Sequence, residues 1–384
     1  MTCPDCGGSA QFHSHRWRTS LSLVGPILYR RAYYLCRACG RGLFPFDRDA
    51  GMTTRDLTPA LERVATLAGT VADSFEKGAG LLEEMAGVRA SESTVERTTE
   101  DAGTRPAELV EAGTPIGPRA RWPWYRDYQG KSCAYVELDA TGVRQQGERG
   151  GMADGRMAYV GMVCNPAPEW PWPDDGPTPM RSRYLAGLYP LEEFAPLLRT
   201  PAGRVGMDQA ERWIGLSDGG AGLEARLREN FPRVEAIILD FFHPAEKLTG
   251  LARRLHPDDE AAAEGQARQW RGLLKAEGGA VLAAVLSLWD WPRRAGLGEA
   301  VADLVGYLER HAHRMEYPDY LARGWCIGSG AVESACKTVV GQRLKLAGMR
   351  WGEAGADAVC HLRALYRSEN GQWEAFWERD YGPT

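Results

Sequence analysis

Two Cys-x-x-Cys pairs, Cys3-Pro-Asp-Cys6 and Cys36-Arg-Ala-Cys39, constrain the front of this chain more than any other feature. Four thiolates at that spacing form a tetrahedral Zn²⁺ site of the ribbon type. Gly7 and Gly40 follow the second cysteine of each pair, where a tight turn suits a residue without Cβ. Between the pairs, Trp17 to Ser22 and Ile27 to Leu35 read as the strands of a hairpin. Such a metal is structural, so the module over residues 1–48 is expected to fold around it. The chain has nine cysteines, an odd number, and their tight pairing argues for metal ligation over a disulfide framework. No apolar stretch is long enough to span a bilayer, and no basic-then-apolar leader is visible. A cytoplasmic protein is therefore expected, in a compartment where thiols stay reduced.

Residues 57–103 carry a helical pattern. Thr58 can cap a helix bearing Leu61, Val64 and Leu67, and Leu81, Leu82 and Met85 share the face of a second helix that ends near Gly87. Ser91 or Ser93 can cap a third helix through Val95 and Arg97. This matches a helix-turn-helix over residues 55–104, although a plain three-helix packing unit has the same spacing. Residues 105–130 hold Pro106, Pro115, Pro118 and Trp122-Pro-Trp-Tyr125 and read as a linker. The net charge of −5 does not advertise a nucleic-acid binder, but DNA contact depends on local patches. Residues 1–50 hold seven Arg against three Asp, and residues 337–351 hold Lys337, Arg343, Lys345 and Arg350 with no acid.

Residues 131–384 read as an α/β catalytic domain. Strands are predicted from Ser132 to Leu138, Arg156 to Cys164, Arg183 to Leu188, Trp213 to Leu216 and Val234 to Leu239. Helices are predicted from Leu191 to Leu198 and from Gly222 to Asn230. Three strands, then helix, strand, helix and strand, is the element order of the ribonuclease-H-like fold. An all-α insertion is expected over about residues 244–322, and Trp373, Phe376 and Trp377 should pack on the core. Trp270, Trp289 and Trp291 in the insertion suit either core packing or stacking on an unpaired base.

Asp139 ends the first of these strands, Asp218 follows a later one, and Glu333 lies on a helix after Gly328-Ser-Gly330. Three converging carboxylates need divalent cations to offset their repulsion, and Mg²⁺ favours carboxylate oxygens beside a substrate phosphate. Two such ions would serve an in-line displacement at phosphorus. Asp240 also ends a strand and is the alternative to Asp218. His243 can position Asp240 or DNA, or be satisfied locally at a helix start. Lys337 can pair with Glu333 one helical turn away, while Arg343, Lys345 and Arg350 can meet phosphates or form a solvated face.

Several runs carry a specific resemblance. Leu216-Ser-Asp-Gly-Gly-Ala-Gly-Leu223, Asn230-Phe-Pro232 and Leu239-Asp-Phe-Phe-His243 resemble the Mutator-related insertion-sequence transposases. Gly328-Ser-Gly-Ala-Val-Glu333, followed by Gln342-Arg-Leu-Lys-Leu-Ala-Gly-Met-Arg-Trp351, is similar to their bacterial ISKra-type branch. The likeness covers most of residues 131–380. It implies a DNA transposase with a metal-binding triad of Asp139, Asp218 and Glu333, using Mg²⁺ or Mn²⁺. It also implies an accessory motif of Asp240 and His243, an aromatic near the DNA ends at Trp351, and DNA as partner. Joining two ends in concert implies a homo-oligomer. A non-catalytic DNA-binding descendant and a cellular nuclease of the same fold are the competing readings. The triad counts against the first, and the front modules and long insertion against the second.

Overall fold

The computed structural model describes residues 1–52, 55–165, 181–328, 334–369 and 371–378. At the front, β1 (Ala10–Ser22) and β2 (Gly25–Cys36) form a long antiparallel ribbon edged by β3 (Gly42–Leu43). The short α1 (Pro45–Asp49) lies against one face, where Asp47 pairs with both Arg18 and Arg31. The hairpin is longer than its apolar pattern suggested, because the register runs unbroken from Ser22↔Gly25 to Ser14↔Tyr33 and resumes past a bulge to Ala10↔Cys36.

Next come α2 (Pro59–Val71), α3 (Phe75–Ala86) and α4 (Glu92–Glu111). Ser74 and Ser91 accept backbone N–H bonds as N-caps of α3 and α4, and Gly87 closes α3 in the left-handed conformation. The expected linker is a packed part of the molecule. Its first residues continue α4 through Pro106, which is buried with Ala107. Further on, the Trp122 indole N–H bonds Glu369, and Asn165 accepts from the Tyr125 N–H while donating to the Pro123 carbonyl. Proline and glycine marked a break in local propensity, but burial of the tryptophans holds the segment in place.

The central sheet has six strands. β4 (Tyr125–Arg126) pairs with β5 (Ser132–Gln146), and β5, β6 (Met152–Asn165) and β7 (Arg181–Gly187) form an antiparallel meander. After α5 (Leu191–Leu197) and α6 (Arg199–Arg204), β8 (Arg212–Ser217) joins parallel to β5. α7 (Leu223–Asn230) then leads to β9 (Val234–Leu239), parallel to β8. The order is β7-β6-β5-β8-β9, a mixed sheet. Alternation along the strands splits the core. Ala134, Val136, Leu138 and Ile237 pack with Phe194, Leu198 and Leu227 on one face. Tyr135, Ile214, Leu216 and Ile238 face a second, larger cluster.

Residues 242–322 are helical, as expected, with α8 (Phe242–Leu255), α9 (Glu260–Leu288, bent at Gly278), α10 (Leu297–His311) and α11 (Tyr317–Ala322). A π-helical turn at Cys336–Gly341 and one α turn at Gln342–Leu344 precede α12 (Glu353–Arg367) and α13 (Gln372–Glu378). Trp373, Phe376 and Trp377 are buried together, as expected. α4 lies so close to α12 that a Cβ on Gly103 would sit 2.4 Å from the Ala358 carbonyl oxygen. Among the described residues, no helix is long and apolar enough to cross a membrane.

Candidate metal centre and acidic site

Cys3, Cys6, Cys36 and Cys39 bring their sulfurs within 4.8 Å of one another. The pairs Cys3–Cys39 and Cys6–Cys36 stand 3.8 and 3.5 Å apart, the separation a tetrahedral Zn²⁺ requires. The two knuckles share one geometry. Gly7 and Gly40, at φ 70° and 75°, send their N–H groups back to the carbonyls of Cys3 and Cys36. Backbone N–H groups of Cys39 and Ala38 aimed at the Cys36 sulfur bring its thiol down to about 7. That favours the thiolate at Cys36, while hydrogen bonds among the sulfurs raise the thiols of Cys6 and Cys39. Soft sulfur donors at this spacing fit Zn²⁺ and would hold it as a structural ion.

The second cluster lies at the carboxyl ends of the parallel strands. Leu138 pairs with Ser217, and Ser217 with Leu239. One residue further along each strand, Asp139, Asp218 and Asp240 therefore share a register and a face. β5 does not end at Asp139, as the apolar pattern implied. It runs on to Gln146 because the antiparallel partner β6 continues after the parallel partner β8 has stopped. Asp139 is half-buried and accepts from the Ala140 N–H at 2.7 Å and from the Cys336 thiol. Burial raises its carboxyl above the ordinary range. The Cys336 and Ala140 hydrogen bonds offset part of the rise, and the charge of Asp218 adds to it.

Asp218 accepts from the Gly220 N–H at 2.7 Å and meets His243 Nε2 at 3.3 Å. Asp240 is fully buried and turns the chain into α8 by accepting from the Phe242 N–H at 3.1 Å. His243, in the first turn of α8, thus reaches Asp218 across from its own strand end. Glu333 lies outside the described residues, and with it the proposed pair to Lys337. On either side of it in sequence, Ile327 accepts from the Phe241 N–H and Cys336 bonds Asp139. Among the described residues, the four cysteines are the one group of three or more whose ligand atoms converge within 4.8 Å.

Sequence reasoning missed the groups that brace this site. Arg314, 1% exposed, donates to the carbonyls of Ser217 and Asp218 at 2.9 and 3.1 Å and to Ser217 Oγ at 2.7 Å. Tyr317 bonds the Leu239 carbonyl at 2.9 Å. Both come from the segment after α10, where nothing in the local pattern marks them.

Of the expected DNA contacts, Lys337, Lys345 and Arg350 are exposed, and Lys345 Nζ meets Thr141 Oγ1 at 2.7 Å beside the acids. Arg350 is not on the helix of Lys337, because that helix stops at Leu344. Arg343 and Trp351 are corrections. Arg343 is 1% exposed and donates to the carbonyls of Gly69 and Asp73, its guanidinium lying 4.3 Å from the Phe75 ring centre and 4.8 Å from that of Trp351. Trp351 is buried against Phe75. Both hold α2 and α3 to the molecule and have no free surface for a phosphate or base. Trp270 is buried, while Trp289 and Trp291 pack around it, Trp289 partly exposed.

Compared with known proteins, the chain matches no protein-family model and no curated protein.

Proposed function

We propose that this protein is a DNA transposase of the Asp–Asp–Glu type, with a ribonuclease-H-like catalytic domain interrupted by the α8–α11 helices. Asp139, Asp218 and Glu333 would hold Mg²⁺ or Mn²⁺. The observation that carries this reading is the in-register placement of Asp139 and Asp218 on one face, with burial raising the Asp139 carboxyl above the ordinary range. Hard carboxylate oxygens that repel one another fit a divalent cation. When bound, the metal would supply charge neutralisation and activation of oxygen at phosphorus.

The chain's own residues have separable tasks. Ala140 N–H and Cys336 fix the Asp139 carboxylate, and His243 and Gly220 N–H fix that of Asp218. Arg314 ties down the end of β8, so the two acids keep their spacing as charge changes between them. Lys345 and Lys337 stand on the solvent side, where a DNA backbone would approach. Water attacking a phosphodiester would release one DNA end. A DNA 3′-hydroxyl attacking a target phosphodiester in its place would join the strands, breaking the target's P–O3′ bond and releasing its 3′-hydroxyl. Neither step needs a covalent protein intermediate.

Asp139→Asn, Asp218→Asn and Glu333→Gln should each nearly abolish Mg²⁺-dependent cleavage and joining of DNA carrying the element's terminal repeats, with gel-shift affinity largely retained. Asp240→Asn, in a buried turn, should lower stability more than it lowers the rate of the folded fraction. Normal cleavage by Glu333→Gln would end the triad reading. An inert Asp240→Asn alongside an active Asp218→Asn would move the second ligand to Asp240.

A further inference from the structure

Among the described residues, none covers the outer face of the front ribbon. Register places His15 opposite Ala32, Trp17 opposite Arg30 and Thr19 opposite Leu28, all on the face away from α1. Trp17 is 64% exposed and Leu28 66%, and Arg30 and His15 are exposed with them. On the opposite face Arg18 pairs with Asp47 and Asp56, Arg31 pairs with Asp47 and stacks on Phe44, and Arg16 lies over the Tyr33 ring. Arg30 has no acidic partner among the described residues. Residues 10–36 contain four Arg, two His and no acid, in a chain whose net charge is −5.

We propose that this open face, built on Trp17, Leu28 and Arg30, is the DNA-gripping surface of the front end, and that it takes DNA whose bases are accessible for stacking. The proposal rests on the transposase reading and goes beyond it by naming the surface. Charge complementarity selects the occupant. A second copy of the ribbon, laid face to face or paired along the free edge of β1, would set Arg and His against Arg and His. A polyanion meets Arg30 with its phosphates, and an exposed indole offers a plane to a base. The helical unit is a poorer reader. α4 spends its apolar face on α2, α3 and α12, and the accessible positions of its first half include Glu92, Glu96 and Asp101 beside Arg97.

The test uses the full-length zinc-loaded protein and a short fluorescein-labelled DNA of mixed sequence, as single strand and as duplex, followed by anisotropy across a salt series. Trp17→Ala should weaken single-strand binding about tenfold, and Trp17→Phe should retain most of it. Arg30→Gln should reduce the salt slope by about one. Zinc content and Tm should be unchanged in all three, as suits solvent-facing positions. Wild-type affinity and slope in both Trp17→Ala and Arg30→Gln would overturn the proposal. So would a Trp17→Ala protein that turns from dimer to monomer with unaltered DNA affinity, since a second copy would then own the face. Asp139→Asn separates the two levels: loss of its cleavage alongside normal ribbon variants sinks this surface and leaves the catalytic reading standing. Ribbon variants that lose DNA beside an Asp139→Asn protein that cleaves normally would do the reverse.

Discussion

Asp139 is where burial and charge conflict most openly. Burial raises its carboxyl, and Asp218 adds to the rise. A carboxyl whose folded pKa exceeds its unfolded value contributes stability below the unfolded pKa, and that contribution is lost as pH rises through the folded pKa. The ionised form of Asp139 is therefore the one that the metal-free fold disfavours. Asp139→Asn should raise the metal-free Tm by about 2 °C at neutral pH, a shift of the size 1 kcal/mol produces. The gain should shrink as pH falls through the raised pKa of the folded carboxyl, where the wild type protonates too. Added Mg²⁺ should then stabilise the wild type more than the variant. Calorimetry in EDTA and in Mg²⁺ across pH reads both effects, and a metal-free variant less stable than wild type would refute this electrostatic account. The strand-end positions of Asp139, Asp218 and Asp240 were legible in sequence, because each follows an apolar strand run. Arg314 and Cys336 were not. Each meets the site from a distant segment, and their partners are carbonyls or one carboxylate that local pattern cannot name.

Among the elements, the π-helical turn is the least legible, and buried arginine bonds hold it. Arg363, on α12, donates to the Val339 carbonyl at 2.6 Å, to that of Thr338, and to the Thr70 carbonyl of α2 at 2.6 Å. Arg343 completes the clamp on Gly69 and Asp73. Both arginines are buried, and burial pulls both guanidinium groups down to about 10. From sequence, Arg343 read as one more phosphate contact, because a basic run looks alike whether it faces water or carbonyls. Arg343→Met or Arg363→Met strands buried acceptors, at about 1–3 kcal/mol for each one left unpaired. Urea midpoints should fall accordingly. Arg343→Lys should not restore stability, because an ammonium lacks the planar fork that spans two carbonyls between two rings. Lys337→Gln and Arg350→Gln, exposed, should leave the midpoint alone and each lower the DNA salt slope by about one. A slope change without a midpoint change in Arg343→Met would return that residue to the DNA surface.

At the scale of the whole molecule, the front helices and the front ribbon differ in how they are attached. The helices α2–α4 looked like a free-standing reader behind a linker, but α4 lies against α12 at Gly103 and the arginine clamps tie α2 to the C-terminal segment. The ribbon is attached more lightly. Its links to the rest include the backbone bonds of Leu21 with Asp56 and Thr58, the Arg18–Asp56 pair, and the packing of Leu21 on Leu57, Leu61 and Val88. Its own core is small, with Cys3, Ala10 and Cys36 buried and Tyr34 and Leu43 packed on them. So few apolar groups cannot hold a long hairpin without the metal, since the binding free energy of such a site is its folding free energy. Chelation of zinc should therefore unfold residues 1–52 while α2 to α13 and the central sheet stay folded. Hydrogen exchange should show protection lost between Ala10 and Cys36 and kept in β5 and β8. Thermal melts should show an early zinc-dependent transition, and the main one should be unchanged. The ribbon's grip on DNA should disappear with the metal and return on adding Zn²⁺, whereas Mg²⁺ alone should restore nothing. A single cooperative transition in which chelator lowers the main Tm would instead join the ribbon to the core. Retained protection in the zinc-free ribbon would deny the metal its structural role.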